Sequence, residues 1–356
     1  MRYVEVCAGA GGWGLGLHRA GWTGTGIELD AVAAETHRTH VGPCITADIT
    51  TAPAPHAADL VCGGPPCQSF SLAGNRGGLS DARGQLFNHL LRIAVEAGAR
   101  VCALENVRGL VHLGALPVIL AAFRAKGYEP VHALLNAADY GVPQNRVRLF
   151  VVGFRRAEDL ARFRWPAPTH GAPGNLFGLP AWRTVREALG LPGGPYRHGL
   201  KDGADPGSPL GMRYLDAPAP TVTASEQKSA LAFGSHGALT ASRRCGDRLN
   251  PALARLDRPS PTIGAGGADT GGAEPLANAS TRAEFVDELK RRLTVRDCAR
   301  LQSFPDAMEF GGTATEQFRQ VGNAVCPPVG EAIARAIAAA LAPAAHVVAS
   351  VMEGVA

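Results

Sequence analysis

The segment from Gly63 to Ser71 constrains the fold more than any other part of the chain. It reads Gly-Gly-Pro-Pro-Cys-Gln-Ser-Phe-Ser and follows an apolar run, 59–62, that is typical of a buried parallel strand. Two glycines and two prolines prevent the strand from continuing, so the segment predicts a tight, stiff loop with Cys67 at its apex. Because α/β proteins place reactive groups at the carboxyl ends of parallel strands, Cys67 is a candidate nucleophile. The alternative is a buried structural cysteine in a turn.

Strand-like and helix-like segments alternate strictly along the first 154 residues. Apolar runs at 3–7, 59–62, 101–104 and 149–153 are separated by segments with the apolar spacing of helices. This alternation predicts an α/β fold with a doubly wound, mostly parallel sheet. The chain of 356 residues is long enough for a second, smaller domain.

A glycine-rich turn follows the first predicted strand. Residues 9–14 read Gly-Ala-Gly-Gly-Trp-Gly, and Glu28 ends the next apolar segment about twenty residues later, as in dinucleotide-binding folds. The glycines let the backbone approach a ligand, and the carboxylate can accept both ribose hydroxyls. Asp48 follows a third strand and can accept a hydrogen bond from an adenine amino group. An unliganded turn and a solvated loop acid are the alternatives, and the turn alone does not separate a nicotinamide cofactor from S-adenosylmethionine.

Polar and charged side chains lie at the ends or at the beginnings of later predicted strands. Glu105 ends the run 101–104 at the same edge as the cysteine loop, where desolvation would raise its pKa and make it a candidate acid. Gln144, Arg146 and Arg148 alternate along an entering strand, which places them on one face. The two arginines suit phosphate or carbonyl oxygens, and a structural ion pair is the alternative.

Asn106 and the segment 71–84 are expected to lie next to the cysteine loop. Asn106 is expected to hold that loop through side-chain hydrogen bonds. The glycine-rich segment 71–84 is flexible enough to form a lid over Cys67, or it is an ordinary surface loop. Leu86 begins the helix that follows.

The character of the sequence changes at Arg155, where proline and glycine become dense. Residues 155–260 carry 15 Lys/Arg and 9 Asp/Glu, a net charge of +6, whereas the whole chain has +4. Such a concentration of positive charge is expected of a face that meets phosphates, and a solvated loop region is the alternative. A short repeat, 215–224 and 256–265, predicts two equivalent strand entries in a small irregular domain.

Helical patterns return near the C-terminus. The segment Thr294–Asp297 resembles a capping box at a helix start. The segment Gln320–Pro328 leads into a predicted helix, Val329–Leu341, with prolines at the position that they prefer. The stretch Ala332–Val351 is apolar, but a charged residue and Pro343 interrupt it, which favours a packed helix over a membrane span.

Composition favours a soluble globular protein. Hydrophobic residues make up 46% and charged residues 19% of the chain, and a pI near 8.7 permits a polyanionic partner. The N-terminus enters a strand directly, so we expect no signal peptide and a cytoplasmic protein. Eight scattered cysteines are expected to be reduced thiols, and their spacing completes no zinc site.

In chain order, these motifs resemble those of the cytosine-5 DNA methyltransferase family across nearly the whole sequence. The resemblance rests on the segments Cys7–Gly12, Glu28, Asp48, Pro65–Gln68, Arg83–Phe87, Glu105–Val107, Gln144–Arg148, Arg296–Phe304 and Gly322–Val325. It implies a Rossmann-like catalytic domain formed by 1–154 plus 315–345. The intervening segment, 155–314, would be a target-recognition domain with a connecting helix.

The resemblance also implies the ligands and the site residues. The implied cofactor is S-adenosyl-L-methionine and the implied substrate is double-stranded DNA, bound by a monomer that needs no membrane. A separately encoded restriction endonuclease is a further candidate partner. The implied catalytic residues are Cys67, Glu105, Arg146 and Arg148. The implied cofactor-binding residues are Cys7, Gly9, Gly11, Glu28, Leu29, Asp48, Ile49, Leu86, Asn323 and Val325.

One implied cofactor residue departs from the family pattern. The family usually has phenylalanine where Cys7 stands, and that ring stacks on the cofactor's adenine. A cysteine can pack there but cannot stack, so cofactor binding could be tighter or looser.

The implied reaction is methylation of carbon 5 of a cytosine flipped out of the duplex, because a base inside a helix cannot receive a bond to its face. Cys67 would attack carbon 6, Glu105 would hold a proton near N3, and Arg148 would hold the base. Gln144 and Arg146 would brace the loop or its sugar-phosphate.

Three other functions stay open from the sequence. A transfer-RNA methyltransferase of the same family uses the same motifs, and a catalytically silent DNA-binding protein would retain the basic segment. A nicotinamide oxidoreductase would explain only the glycine turn and Glu28. Arginines of the basic segment are the candidates for reading bases: Arg183, Arg186, Arg213, Arg243 and Arg244.

Overall fold

The computed structural model of the protein describes residues 1–66, 86–112, 114–190, 230–233, 238–242, 254–255, 260–261 and 294–343. Cys67, the expected lid 71–84, the repeat copy 215–224 and three candidate base-reading arginines (Arg213, Arg243 and Arg244) lie outside these residues. The strands are β1 (Arg2–Val6), β2 (Thr23–Glu28), β3 (Cys44–Thr46), β4 (Leu60–Gly63), β5 (Val101–Val107), β6 (Glu129–Asn136), β7 (Gln144–Asn145), β8 (Val147–Phe154), β9 (Ala230–Phe233), β10 (Ala238–Ser242), β11 (Ala254–Arg255) and β12 (Ser260–Pro261). The helices are α1 (Gly12–Arg19), α2 (Ala31–His40), α3 (Leu86–Glu96), α4 (Gly109–His112), α5 (Leu116–Ala125), a 3₁₀ helix (Ala137–Tyr140), α6 (Ala157–Arg162), α7 (Val185–Leu189), α8 (Val295–Leu301), α9 (Ala314–Asn323) and α10 (Pro327–Leu341).

The main sheet has seven strands in the order β3-β2-β1-β4-β5-β8-β6. Every neighbouring pair is parallel except the two that involve β8, which runs antiparallel to β5 and to β6. The predicted mostly parallel sheet is confirmed. The predicted strict alternation of strand and helix is wrong in two places. No helix lies in the described segment between β3 and β4, and the chain returns from β6 to β8 through the short 3₁₀ helix and β7. A connection that short makes a hairpin-like return, since a parallel crossover needs a dozen or more residues.

Helices cover both faces of the sheet, as expected for a doubly wound fold. On one face Val4 and Val6 of β1 pack with residues of α3 and α5. On the other face Tyr3 of β1 packs with residues of α1 and α10. Successive residues of β1 therefore enter two separate cores, and both faces of the strand are buried.

Glycines of α1 let the C-terminal helix α10 approach it closely. A Cβ placed on Gly16 would lie 2.5 Å from the backbone nitrogen of Glu331 and 2.6 Å from the carbonyl oxygen of Pro327. A Cβ on Gly330 of α10 would lie 2.9 Å from the ring of Trp13. The two helices therefore pack backbone against backbone, which joins the C-terminal part of the chain to the first helix.

The C-terminal region contains one helix that the sequence did not predict. Helix α9 includes the first residues of the segment Gln320–Pro328, and α10 starts at Pro327, two residues earlier than expected. A capping box formed by Thr313 and Glu316 begins α9. That pattern was present in the sequence and would have indicated the helix. The predicted capping box at Thr294 and Asp297 is confirmed.

Within the described residues, one stretch, Ala314–Leu341, is long enough and apolar enough to cross a membrane, judged by length and hydropathy alone. It comprises α9 and α10. Ile333, Ala334 and Ile337 of α10 are fully buried in the core shared with α1. The predicted packed helix is confirmed as far as Leu341.

The close packing of α1 on α10 predicts the effect of adding one methyl group. Gly16→Ala should lower the free energy of unfolding by about 1–3 kcal/mol, because backbone atoms of α10 cannot move aside as a side chain can. Gly109→Ala in α4 is the matched control, since a Cβ there would meet no atom within 4 Å. Urea unfolding of the two variants and the wild type measures the difference. Equal stability of the two variants would contradict this description of the helix pair.

Candidate active site

The candidate active site lies at the carboxyl ends of β4 and β5. The two strands are parallel, and Gly63 pairs with Leu104. Glu105 therefore lies beside Gly64, and Gly64 belongs to the segment that leads to Cys67. A Cβ on Gly64 would lie 3.0 Å from Oε2 of Glu105. The glycine thus leaves room for the carboxyl group against the start of the cysteine loop.

Asn106 ties that loop to β5. Its Nδ2 donates a hydrogen bond to the carbonyl oxygen of Pro65 at 2.9 Å, and its Oδ1 accepts one from the backbone nitrogen of Val107 at 2.9 Å. The loop-holding role predicted for Asn106 is confirmed. The start of the cysteine loop and the strand that carries Glu105 are therefore held together.

Glu105 and Arg148 form a buried ion pair. Glu105 is only 6% exposed, and its Oε1 lies 3.2 Å from Nε of Arg148. Burial raises the pKa of Glu105, and the positive charges of Arg148 and Arg146 offset part of that rise. Burial and the neighbouring Arg146 lower the pKa of Arg148 to about 9, against the effect of Glu105. The raised carboxyl pKa is as predicted, and the ion pair that the sequence left as an alternative is present.

Arg146 joins this edge of the sheet to the C-terminal segment. The guanidinium is 4% exposed, and its Nη2 donates to the carbonyl oxygens of Gly322 at 3.0 Å and Ala324 at 3.1 Å. The backbone nitrogen of Arg146 donates to Oδ1 of Asn136, whose Nδ2 donates to Oδ1 of Asn145 at 2.9 Å. Carbonyl oxygens are thus the partners of this arginine, and Asn145 braces the turn that presents it.

The glycine turn after β1 leaves open space beside Glu28. Gly9 has a φ of 54°, and a Cβ placed on it would meet no atom within 4 Å. Its backbone nitrogen donates to Oε2 of Glu28 at 2.8 Å, and that of Asp30 donates to Oε1 at 2.9 Å. Each carboxylate oxygen retains a second lone pair for a ligand hydroxyl. The next side chain, Leu29, is 67% exposed.

Two other predicted residues of this turn have left-handed backbone conformations. Cys7 has a φ of 51° and lies half-buried against the core. Gly11 has a φ of 83°, and a Cβ on it would lie 2.6 Å from Val41 and 2.7 Å from His37. Gly11 is therefore needed for packing on α2, whereas Gly9 borders open space.

Three predicted residues lie on the segments around β3 and α3. Asp48 is exposed, and its Oδ1 accepts a hydrogen bond from the backbone nitrogen of Thr50 at 2.8 Å, which lowers the carboxyl pKa. Ile49 is buried in the core. Leu86 is half-buried at the start of α3.

The remaining two predicted residues lie where α9 meets α10. Asn323 ends α9 and is exposed, and Val325 is half-buried in the link to α10. A Cβ on Gly12 would lie 2.2 Å from the carbonyl oxygen of Val325. The link therefore lies directly against the start of α1, next to the glycine turn.

Behind the glycine turn lies a buried ionisable pair that the sequence patterns did not predict. Glu5 and His37 are both buried, with 3.7 Å between Oε2 of Glu5 and Nε2 of His37. Burial raises the pKa of Glu5, and His37 and the backbone of Gly14 offset part of the rise. A carboxylate in the middle of an apolar strand is the signal that would have revealed the pair, because such residues are rarely buried alone.

Comparison with known proteins identifies the family. The family model described as C-5 cytosine-specific DNA methylase matches residues 1–188 and 225–339. The chain belongs to this family. It is a DNA (cytosine-5-)-methyltransferase, which removes the nicotinamide oxidoreductase from the alternatives.

Two curated relatives match over nearly their full length. The Type II methyltransferase M.FnuDI of Fusobacterium nucleatum is 31% identical over 95% of this chain and 94% of its own. The Type II methyltransferase M.NgoMIV of Neisseria gonorrhoeae is 33% identical over 95% and 97%. Among solved structures, a candidate DNA modification methyltransferase encoded within an E. coli prophage has a TM-score of 0.60 at 23% identity, covering 95% of this chain and 98% of its own. That likeness supports the fold.

The raised pKa of Glu105 predicts how stability depends on pH. Between the ordinary value of 4.5 and the raised folded value, the unfolded chain releases a proton that the native protein retains. The free energy of unfolding should therefore fall as pH rises through this window, and Glu105→Gln should remove that component. Urea unfolding of both proteins at a series of pH values measures the difference between them. A difference that stays constant or grows with pH would contradict the buried carboxyl.

Proposed function

We propose that this methyltransferase transfers a methyl group from S-adenosylmethionine to carbon 5 of a flipped-out cytosine in double-stranded DNA. The reaction proceeds through a covalent bond between Sγ of Cys67 and carbon 6 of the base. The observation that carries the proposal is the buried Glu105, next to the start of the cysteine loop and paired with Arg148.

Glu105 acts as the acid at N3 of the base. Burial favours its protonated form, which can donate to N3 as the thiolate of Cys67 attacks carbon 6. The charge that the attack places on the ring is thereby cancelled, and carbon 5 becomes nucleophilic. After methylation, water takes the proton from carbon 5, the thiolate is expelled, and the N3 proton returns to Glu105.

The surroundings of the loop favour the thiolate form of Cys67. The guanidinium groups of Arg146 and Arg148 make this edge electropositive, and thiolates are stabilised by nearby positive charge. The hydrogen bond from Asn106 to Pro65 fixes the start of the loop. Closure of the segment 71–84 over the site would exclude water from the reaction.

The glycine turn suits S-adenosylmethionine, which when bound would supply an electrophilic methyl group. The open space at Gly9 admits a ligand against the backbone, and the remaining lone pairs of Glu28 can accept the ribose hydroxyls. The exposed Leu29 offers an apolar surface for the adenine. The other proposed cofactor residues are Cys7, Gly11, Asp48, Ile49, Leu86, Asn323 and Val325.

Arg146 and Arg148 have separate tasks in this proposal. Arg148 lies against Glu105 and holds the flipped base beside the acid. Arg146 braces the site by binding the carbonyl oxygens of Gly322 and Ala324. The catalytic unit is therefore 1–154 together with 315–345, with 155–314 as the target-recognition segment and connecting helix.

The partners follow from the substrate and from the relatives. The basic segment 155–260 meets the phosphates of a DNA duplex, which is bound by a monomer. Because the curated relatives are named Type II methyltransferases, a separately encoded restriction endonuclease with the same target is proposed as a genetic partner.

Transfer of tritiated methyl groups from S-adenosylmethionine tests the proposed function. Wild-type protein should label carbon 5 of cytosine in double-stranded DNA, and Cys67→Ser should abolish the label. Glu105→Gln should reduce the rate by about 10²–10⁴-fold, the usual contribution of a positioned acid. Glu35→Gln is the matched control, because Glu35 pairs with Arg38 on the exposed face of α2 and should leave the rate unchanged.

A transfer-RNA substrate is assayed in parallel. Label in RNA and none in DNA would overturn the DNA assignment. Full activity of Cys67→Ser would overturn the covalent step, and full activity of Glu105→Gln would overturn the acid.

A further inference from the structure

A loop of the segment that follows α6 carries an exposed apolar tip, Leu176 and Phe177. Their side chains are 99% and 87% exposed, more than any other large hydrophobic side chain in the described part of the chain. Gly174 and Gly178 flank the pair, and a Cβ on either would meet no atom within 4 Å. The tip therefore projects from the body of the protein. Nothing in the reaction proposed above uses it.

Hydrogen bonds hold the loop beneath the tip in one shape. Nδ2 of Asn175 donates to the carbonyl oxygens of Ala172 at 3.1 Å and Leu179 at 2.9 Å, and its Oδ1 accepts from the backbone nitrogen of Leu179 at 3.0 Å. Below them, Gly171 and Ala181 form a β-bridge. Two large apolar side chains are thus presented by a braced loop, which reduces the entropy cost of using them in binding.

The loop is anchored at the edge of the sheet that carries Glu105. The backbone nitrogens of Thr169 and His170 donate to the carbonyl oxygen of Asp139, and Nε1 of Trp182 donates to Oδ1 of Asp139 at 2.9 Å. Asp139 lies in the 3₁₀ helix that follows β6. Since β6 runs in the same direction as β5, this helix lies at the carboxyl edge of the sheet.

The charge of the segment that carries the tip suits a polyanion. Residues 163–187 contain Arg164, Arg183 and Arg186 and one acid, Glu187, which gives a net charge of +2. An apolar tip on a positively charged segment matches a DNA duplex, which has phosphates on its outside and stacked bases within its grooves. DNA-binding proteins often insert phenylalanine or leucine between base steps in this way.

We propose that Leu176 and Phe177 form an apolar wedge that enters a groove of the bound duplex beside the target cytosine. The inference rests on DNA being the substrate. The wedge contributes affinity by contact with bases, and the arginines of the same segment contribute by contact with phosphates.

DNA binding by tip variants tests the wedge. Phe177→Ala should raise the Kd for a duplex that the wild-type enzyme methylates by about tenfold, within the range measured for single base–aromatic contacts. The slope of log Kd against log salt should not change, because an apolar contact releases no counterions. Val118→Ser on α5, at a 36% exposed position, is the matched control and should bind as the wild type does.

Fluorescence of Phe177→Trp gives an independent measurement. The added indole should emit as a solvent-exposed group in the free protein and be quenched or shifted when the duplex is added, relative to the wild type. Either of two results would contradict the proposed insertion into DNA. One is a Kd for Phe177→Ala within twofold of the wild-type value, and the other is an indole emission that DNA leaves unchanged. A tip that contacts another protein instead of DNA would give these results. Methylation of the duplex by the wild type is scored separately. If the wild type does not methylate the duplex, both the proposed function and the wedge are contradicted. If it does, the binding and fluorescence results test the wedge alone.

Discussion

The buried ion pair between Glu105 and Arg148 is the interaction on which the candidate active site depends. A carboxyl group with 6% exposure is costly to ionise, and a guanidinium beside it repays part of that cost. Removing one member of such a pair typically costs about 3–5 kcal/mol, because the other charge is then left buried without compensation. The same pair joins β5 to β8. The stability of this edge of the sheet is therefore linked to the protonation state of Glu105.

The direction of β8 explains why the arginines meet this carboxyl group. An antiparallel strand begins at the edge where its parallel neighbours end. The residues that enter β8, Arg146 and Arg148, therefore lie at the carboxyl edge together with Glu105 and the start of the cysteine loop. Had the chain continued as strict alternation of strand and helix, the entering residues would have lain at the opposite edge.

The C-terminal segment completes the site from the other end of the chain. Arg146 binds the carbonyl oxygens of residues more than 170 positions later, and Val325 lies against Gly12 at the glycine turn. Glycines of α1 make this approach possible. The glycine turn thus serves two purposes, since Gly9 borders open space while Gly12 admits the returning chain.

The sequence was sufficient for the features that depend on local spacing. The strand–turn–helix at Gly9, the acid at the end of β2 and the carboxyl group at the end of β5 each follow from a few neighbouring residues. The loop-holding role of Asn106 followed from the same kind of pattern.

Features that depend on distant contacts could not be predicted in this way. The partners of Arg146, the packing role of Gly16 and the pairing of Glu5 with His37 are set by the tertiary arrangement. The reversed direction of β8 depended on the length of one connection, which periodicity does not reveal. The start of helix α9 is different, because its capping box, Thr313 and Glu316, is a local pattern that the sequence contains.

Covalent trapping on a modified duplex tests whether Cys67 forms a bond to the target base. With 5-fluorocytosine in place of the target base, the fluorine cannot leave as a proton does, so the bond between enzyme and base should persist after methylation. In the presence of S-adenosylmethionine we expect a stable protein–DNA adduct, with the base attached to Cys67 in the mapped peptide and slower formation in Glu105→Gln. An adduct at another residue, or no adduct from protein that methylates ordinary DNA, would contradict a bond between Cys67 and the base.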